Sequence, residues 1–148
     1  MKVSSLNDFY STNIYSVYPV AKHILSLDID NRLNEGDITL VADIQRVKIN
    51  NVVKNFYSFA SKYCSHHNPK HFPIYDSYVD KVLCYFRNLK KFPAFKFKNS
   101  DLKDYAKFKE ILIAFRSIYG LDKFNLKEID KYLWQFGKKH FPKKYKRE

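Results

Sequence analysis

Apolar residues recur every three or four positions along most of this chain, a spacing that places them on one face of an α-helix. In the first half, the pattern predicts helices over residues 18–27, 37–47 and 58–67. Each of the last two begins at a good N-cap residue, Asp or Ser. The polar stretch over residues 28–36 is predicted to be a turn.

Two long helices are predicted towards the C-terminus. Asn99 or Ser100 is expected to cap the longest helix of the chain, which Gly120 ends. The last helix begins at Asn125, which forms a capping-box pattern with the glutamate three residues on, and ends at Gly137.

Residues 48–55 alternate weakly between apolar and polar positions, and the central pair Asn50-Asn51 suits a tight turn. We therefore expect a short hairpin among the helices. The chain has only 3 Gly and 5 Pro, which argues against an all-β sandwich. The predicted fold class is all-α, with five or six helices in one orthogonal domain over residues 1–148.

The charge of the chain is strongly basic. Its 148 residues include 27 Lys and Arg against 15 Asp and Glu, a formal net charge of +12. Such an excess favours a polyanionic partner, and nucleic acid is the commonest one. A solvated lysine-rich surface without a partner is the alternative. Residues 138–148 form a basic tail, whereas residues 1–16 show no firm period and are expected to be irregular.

The cysteines and the hydropathy indicate in which cellular compartment the protein is expected. Cys64 and Cys84 lie in different predicted helices, and with no signal peptide they are expected to be free thiols in a cytoplasmic protein. No stretch approaches the about 18 apolar residues of a membrane span, so no membrane partner is expected. We predict no cofactor, and a protein partner stays open.

His66, His67 and His71 form a cluster that suggests a metal site. A zinc site needs three or four converging ligands, but a proline interrupts the helix between His67 and His71. We therefore predict no metal and expect these side chains to hydrogen-bond the loop. Cys64 is close in sequence, but a cysteine on an apolar helix face is usually packing rather than a nucleophile.

Lys62 and Asp76 are two further candidate functional residues. Lys62 lies among aromatic residues, where burial would lower its pKa, although a lysine that extends to solvent is the alternative. Asp76 is first an N-cap, which contributes about 1 kcal/mol, and this does not exclude a second role. It begins a helix with the apolar stripe Val79, Val82, Leu83 and Phe86.

A basic and aromatic segment over residues 90–98 alternates lysine with phenylalanine. Lysines neutralise phosphates, and an aromatic pocket stacks on bases. Trp134, by contrast, is expected in the core. Nucleic-acid contacts are predicted at Lys54, Lys70, His71, Lys90, Lys91, Lys96 and Lys98.

The segment Pro73-Ile74-Tyr75-Asp76-Ser77-Tyr78-Val79 resembles the Pro-Val-Asp-x-x-Val segment of helix-hairpin-helix base-excision DNA glycosylases, especially those with the fold of 8-oxoguanine DNA glycosylase. The resemblance covers about residues 37–89. It implies that Asp76 faces the sugar of an extruded nucleotide and stabilises the positive charge that develops there. It also implies that Lys62 or Lys54 corresponds to the nucleophilic lysine of bifunctional members.

Two features depart from that family. Its hairpin is usually rich in glycine, whereas residues 48–55 contain none, and the chain is short for a complete glycosylase. We therefore keep three hypotheses. The first is a DNA-repair glycosylase that hydrolyses the N-glycosidic bond of a damaged or modified base. The second is a non-catalytic nucleic-acid-binding protein of the same fold, and the third is a protein-interaction module, for example in phage defence.

Overall fold

The computed structural model describes residues 17–144, which are mainly helical. They contain seven α-helices, a 3₁₀ helix and one two-stranded antiparallel sheet. The predicted helical character is confirmed, but an all-α class is too narrow and five or six helices is too few. The chain divides into two units, residues 1–74 and 75–148, which are described separately. The predicted irregular segment at 1–16 lies outside the described residues, and the single domain stays a prediction.

Helices α3 and α4 pack on each other in the first unit, and α1 packs on β1. The elements are α1 (Val17–Leu25), α2 (Ile29–Glu35), α3 (Thr39–Gln45), β1 (Arg46–Ile49), β2 (Val52–Asn55) and α4 (Tyr57–His67). The buried apolar side chains come from every helix and from β1, and they include Val20, Ile24, Leu33, Leu40, Ile44, Val47 and Phe59.

The predicted hairpin is confirmed and begins two residues earlier than expected, at Arg46. Its strands pair antiparallel, with Ile49 opposite Val52 across the turn. Asn50 and Asn51 adopt φ values of 49° and 63°, the left-handed region that a tight hairpin turn requires and that asparagine tolerates.

The prediction of a turn over residues 28–36 is wrong, because this stretch contains α2. Only Leu33 of this helix is buried, so its sequence shows no apolar stripe. Gly36 ends the helix at φ 69°, and its amide donates to the carbonyl of Leu33 at 3.2 Å. The left-handed glycine thus marks a helix end.

The bounds of α3 and α4 also differ from the prediction. Val47 is buried as expected, but on β1 rather than on a helix. Asp37 accepts a hydrogen bond from the amide of Thr39 at 3.0 Å, so it does serve the start of α3. Ser58 is not the cap of α4, because α4 already begins at Tyr57. The amide of Phe56 before it donates to the carbonyl of Gln45, the last residue of α3, at 2.7 Å.

In the second unit, α5 and α6 both pack on α7. The elements are α5 (Ser77–Asn88), the 3₁₀ helix (Asn99–Lys103), α6 (Tyr105–Ile118) and α7 (Leu126–His140). The expected stripe of α5 is buried at Val79, Val82 and Leu83, and Phe86 is half-buried.

Asn99 and Ser100 do not cap a long helix, because they lie in the separate 3₁₀ helix. The start of this helix is capped by the Asp101 carboxylate, which accepts a hydrogen bond from the amide of Lys98 at 2.8 Å. Helix α6 begins afterwards, with Asp104 as its N-cap. The predicted left-handed glycine end of α6 at Gly120 and the capping box of α7 are both confirmed.

The prediction that Gly137 ends α7 is wrong, because this residue lies buried within the helix. A Cβ atom at this position would lie 2.7 Å from Cβ of Tyr78, so glycine allows α7 to approach α5 closely. The helix continues to His140, and the first three residues of the expected tail are therefore helical. Trp134 is 39% exposed, and the Lys138 ammonium lies 4.4 Å from its ring centroid. The prediction that Trp134 lies in the core is therefore wrong.

Candidate nucleic-acid interface

A cleft of about 430 Å³ lies in the second unit, at the end of α5 and in the segment that follows it. Its lining contains three cationic side chains, three aromatic rings and a proline, and no acidic residue is among them. We call it the basic aromatic cleft. The lining residues are Arg87, Lys90, Phe92, Pro93, Phe95, Lys96 and Phe97.

Local backbone conformation shapes this cleft. Helix α5 ends at Asn88, Leu89 is its C-cap, and Lys90 then adopts φ 53°, a left-handed conformation that glycine usually takes at this position. Beyond it, the amide of Phe95 donates to the carbonyl of Phe92 at 3.0 Å, which closes a tight turn around Pro93. A non-glycine residue with positive φ is unfavourable, so the surrounding structure must hold the lysine there.

The aromatic residues of the cleft are anchored on α6. Phe95 is buried, and its ring centroid lies 6.1 Å from that of Phe115. The ring of Phe92 meets that of Tyr119 at 4.9 Å in an edge-to-face arrangement. Phe92 and Phe97 remain half-exposed. The cleft therefore offers fixed rings that keep part of their surface open.

Arg87 is held rigidly in the lining. Its Nη1 donates to the carbonyl of Phe97 at 3.1 Å and to Oδ1 of Asn99 at 2.7 Å. Its Nε donates to Oδ1 of Asn88 at 3.1 Å. Sequence reasoning did not name Arg87 as a site residue, although a cation one turn before the segment at 90–98 was a usable signal.

The positive charge of the cleft is not neutralised locally. Among the described residues, none of Arg87, Lys90 and Lys96 forms an ion pair with a carboxylate. Lys91 and Lys98 are exposed on the same segment, and the Lys91 ammonium lies 5.7 Å from the ring centroid of Phe92. Two of the lysines predicted to bind nucleic acid, Lys90 and Lys96, thus line the cleft, two more lie on the same segment, and their field attracts anions.

Asp76 is an N-cap, as predicted. Its Oδ1 accepts hydrogen bonds from the amides of Tyr78 and Val79, both at 2.9 Å. Asp76 is only 7% exposed and is not among the residues that line the basic aromatic cleft. Within residues 17–144 its side chain makes no further hydrogen bond, so only one carboxylate oxygen is committed to the helix, and its backbone carbonyl accepts the amide of Asp80 at 3.0 Å.

The other predicted site residues belong to the first unit. Lys62 on α4 is 9% exposed, so it is a buried lysine rather than one that extends into solvent. Lys54 is exposed on β2, and Lys70 is exposed after α4. His71 is half-buried, and a Cβ atom on Gly36 would lie 2.7 Å from its Cγ. Their roles in catalysis or binding stay predictions.

The histidines and Cys64 show no arrangement for catalysis by a metal or a thiolate. Within the part of the chain that the structure describes, no three His, Cys, Asp or Glu side chains converge on a possible metal position. The rings of His66 and His67 meet edge to face at 5.4 Å. Cys64 is fully buried, and this burial raises the pKa of its thiol to about 12. A nucleophilic thiolate is therefore disfavoured.

One polar network escaped sequence reasoning. The hydroxyl of Tyr75 donates to Oδ2 of Asp80 at 2.7 Å and accepts a hydrogen bond from the Lys103 ammonium, which also lies 4.6 Å from the Tyr75 ring centroid. The Sγ of Cys84 lies 3.8 Å from Oδ1 of Asp80 and 3.7 Å from Oδ1 of Asn99, the partner of Arg87. The network thus ties α5 to the 3₁₀ helix beside the cleft.

The chain is similar to one protein family model and to one curated protein. Residues 1–71 match the HI_0787_N family model, which is described as an N-terminal domain, and the match ends close to the boundary of the first unit at residue 74. An uncharacterized protein of Haemophilus influenzae is 58% identical over 138 residues, which cover 93% of this chain and 65% of the relative.

The chain thus spans about 65% of the length of that curated relative. No solved structure matches the chain. Among the described helices, none has the length and apolar character needed to cross a membrane.

Proposed function

We propose that this protein binds nucleic acid, with DNA as the expected form, through the basic aromatic cleft. The observation that carries the proposal is the cleft lining, where Arg87, Lys90 and Lys96 lie beside phenylalanine rings and have no acidic partner among the described residues. The net charge of +12 supports it, because an anionic chain is attracted to the whole surface and then held at the cleft.

Each side chain of the cleft has a role in such binding. The lysines neutralise phosphates and release counterions, which makes affinity fall as salt rises. Arginine is better suited to a fixed, planar contact, and its hydrogen bonds already orient Arg87 before a ligand arrives. The rings give bases a surface to stack on, which needs no particular sequence.

Binding to a labelled oligonucleotide, followed by fluorescence anisotropy at several salt concentrations, tests the proposal. We expect affinity to fall steeply with salt, and the double variant Lys90→Gln/Lys96→Gln to bind more weakly with a slope lower by about 1.4–1.8. The matched control is Lys131→Gln/Lys139→Gln, which removes the same charge from exposed positions of α7.

The result for the two double variants decides the location of binding. Equal loss in both variants would show that binding follows total charge and not the cleft. No binding to DNA or RNA at low salt, together with salt-insensitive association with a protein, would favour the interaction-module hypothesis instead.

A glycosylase activity is the second candidate, and the resemblance of residues 73–79 to the glycosylase segment motivates it. This residue is nearly buried at the start of α5, and only its Oδ1 is engaged by helix amides. Cleavage of an N-glycosidic bond develops positive charge on the sugar, which a fixed carboxylate stabilises. Extruding the base from a duplex costs a few kcal/mol, and the activity needs a pocket for that base beside Asp76, which does not line the basic aromatic cleft.

The variant Asp76→Ser separates this activity from capping, because serine also caps helices but carries no charge. The substrates are oligonucleotides with oxidised, alkylated, deaminated or glucosylated bases. A glycosylase predicts abasic product from the natural protein and none from Asp76→Ser with an unchanged circular dichroism spectrum. If no base yields abasic product, the activity is excluded and the binding proposal is unaffected.

A further inference from the structure

The size of the basic aromatic cleft limits what it can hold. Its volume of about 430 Å³ is close to the lower end of the range of roughly 300–1,000 Å³ that is typical of small-ligand pockets. A duplex keeps its bases stacked inside and is usually read by a helix or strand that enters a groove. A concave pocket of this size instead suits one nucleotide whose base is not paired.

The rings of the cleft suit such a base. Phe92 and Phe97 are half-exposed, and edge-to-face contacts hold them against Tyr119, with ring centroids 4.9 Å apart, and Phe95, with centroids 5.3 Å apart, respectively. Rings fixed in this way lose little freedom when a base stacks on them. Stacking platforms beside a positive groove are the usual feature of proteins that bind single strands.

The cations are placed to hold the backbone of the same nucleotide. Lys90 and Lys96 line the cleft, and Arg87 has its Nη1 and Nε engaged but no hydrogen bond from Nη2 to any described residue. That nitrogen is therefore available to a phosphate oxygen or to a base edge. Charge and ring thus occupy one pocket, which a flat basic patch does not provide.

We propose that the basic aromatic cleft receives one unpaired nucleotide, and that the protein prefers single-stranded nucleic acid to the duplex of the same sequence. This inference rests on the proposed function and adds the class of nucleic acid. Both strands of a duplex have the phosphates that the lysines recognise, so the preference arises from the base, which only a single strand can stack on an exposed ring of the cleft.

The test compares dissociation constants for one labelled strand, for its duplex and for a strand of equal length in which every nucleotide is abasic, all at one salt concentration. We expect the base-bearing strand to bind about tenfold more tightly than either of the others. Phe97→Leu and Phe92→Leu should weaken binding of the base-bearing strand several-fold, and they should weaken binding of the duplex less.

Phe124→Leu is the matched control. Phe124 is 37% exposed and has the Lys123 ammonium 5.1 Å from its ring, much as Lys91 lies beside Phe92, but it is not part of the cleft lining. This variant should bind as the natural protein does. A strand carrying 5-iodouracil should crosslink on irradiation to the peptide that contains residues 90–98, as read by mass spectrometry.

The outcomes separate the two proposals. Equal affinity for the base-bearing strand, the duplex and the abasic strand overturns the single-strand inference while nucleic-acid binding stands. Failure of all three to bind overturns both. The abasic comparison uses the natural protein, so the inference is still tested if a phenylalanine variant does not fold.

Discussion

The guanidinium carbon of Arg87 lies 4.8 Å from the ring centroid of Phe97, while its Nη1 donates to the carbonyl oxygen of the same residue at 3.1 Å. One side chain therefore stacks on Phe97 and also fixes its backbone. Only a planar group with several donors can make both contacts at once. The shape of the basic aromatic cleft thus depends on arginine at this position and not only on a positive charge.

Arg87→Lys should therefore weaken nucleic-acid binding although the charge is kept. An ammonium cannot reproduce the fork of bonds to Phe97 and Asn99, so we expect affinity to fall about tenfold, equivalent to about 1.4 kcal/mol. Anisotropy titration at fixed salt measures the change. Arg116→Lys is the control, because Arg116 is a half-buried arginine of α6 outside the cleft lining. Unchanged binding by Arg87→Lys would mean that charge alone matters.

Lys90→Gly should raise stability and lower affinity. Lys90 has φ 53° after the end of α5, where glycine carries no steric penalty, so we expect the free energy of unfolding to rise by about 1 kcal/mol. The same change removes a cation from the cleft lining, so binding should weaken. Urea denaturation and anisotropy measure the two effects.

Lys90→Asn is the companion variant, because asparagine tolerates the left-handed region better than lysine does and also lacks the charge. It should show the same two changes with a smaller gain in stability. A loss of stability in both variants would indicate that the Lys90 side chain contributes packing that outweighs the relief of backbone strain.

Features set by a few neighbouring residues could be predicted from the sequence. The turn at Asn50-Asn51, the cap at Asp76 and the capping box at Asn125 all depend on local hydrogen bonds, and all three are present. Helix α2 was missed because a single buried residue, Leu33, gives no period to detect. Local chemistry was thus a better guide than hydrophobic spacing in the short elements.

The cleft could be predicted only in part. Alternation over residues 90–98 identified its lysines, but in a loop the direction of each side chain depends on distant residues. Phe95 turns inward because it meets Phe115 of α6, and Arg87 joins the lining because Asn99 and Phe97 hold it. The catalytic role of Asp76 was predicted from a resemblance, so it stays a prediction.

Asp76→Ala should lower the free energy of unfolding by about 1 kcal/mol, because the amides of Tyr78 and Val79 lose their acceptor. Asp76→Ser should lose much less, since its hydroxyl accepts the same type of bond. Urea denaturation of the two variants measures the difference. If serine costs as much as alanine, the carboxylate does more for stability than cap the helix.

Cys84 should react with iodoacetamide faster than Cys64 in the folded protein. Burial raises the pKa of Cys64 to about 12, so at pH 8 roughly one molecule in ten thousand carries the reactive thiolate, and the sulfur is also inaccessible. The pKa of Cys84 is raised as well, first by burial and then by Asp80, but this residue is only half-buried. Mass spectrometry of peptides gives both rates, which should converge in denaturant. Equal rates in the folded state would contradict the burial of Cys64.

Stability should depend on pH through Asp37. A hydrogen bond from the Thr39 hydroxyl, and then one from Arg32, holds the pKa of this carboxyl below its usual value. A lowered folded pKa stabilises the protein above the unfolded value of about 3.9, and this contribution is lost as pH falls through the folded pKa. Asp37→Asn should therefore cost about 1 kcal/mol at neutral pH, and less at each step below about pH 4, in urea denaturation.

Thr39→Val tests the cause of that dependence. Valine keeps the shape of threonine but cannot donate the bond of 2.6 Å to Oδ1 of Asp37, so the folded pKa should move back towards the unfolded value. In the Thr39→Val background, Asp37→Asn should lower the free energy of unfolding at neutral pH by less than it does in the natural protein. As pH falls, this cost should also reach zero at a higher pH than in the natural protein. If Asp37→Asn costs the same with threonine and with valine at position 39, the ion pair with Arg32 and the bond from the residue 39 amide, and not the hydroxyl, lower the pKa.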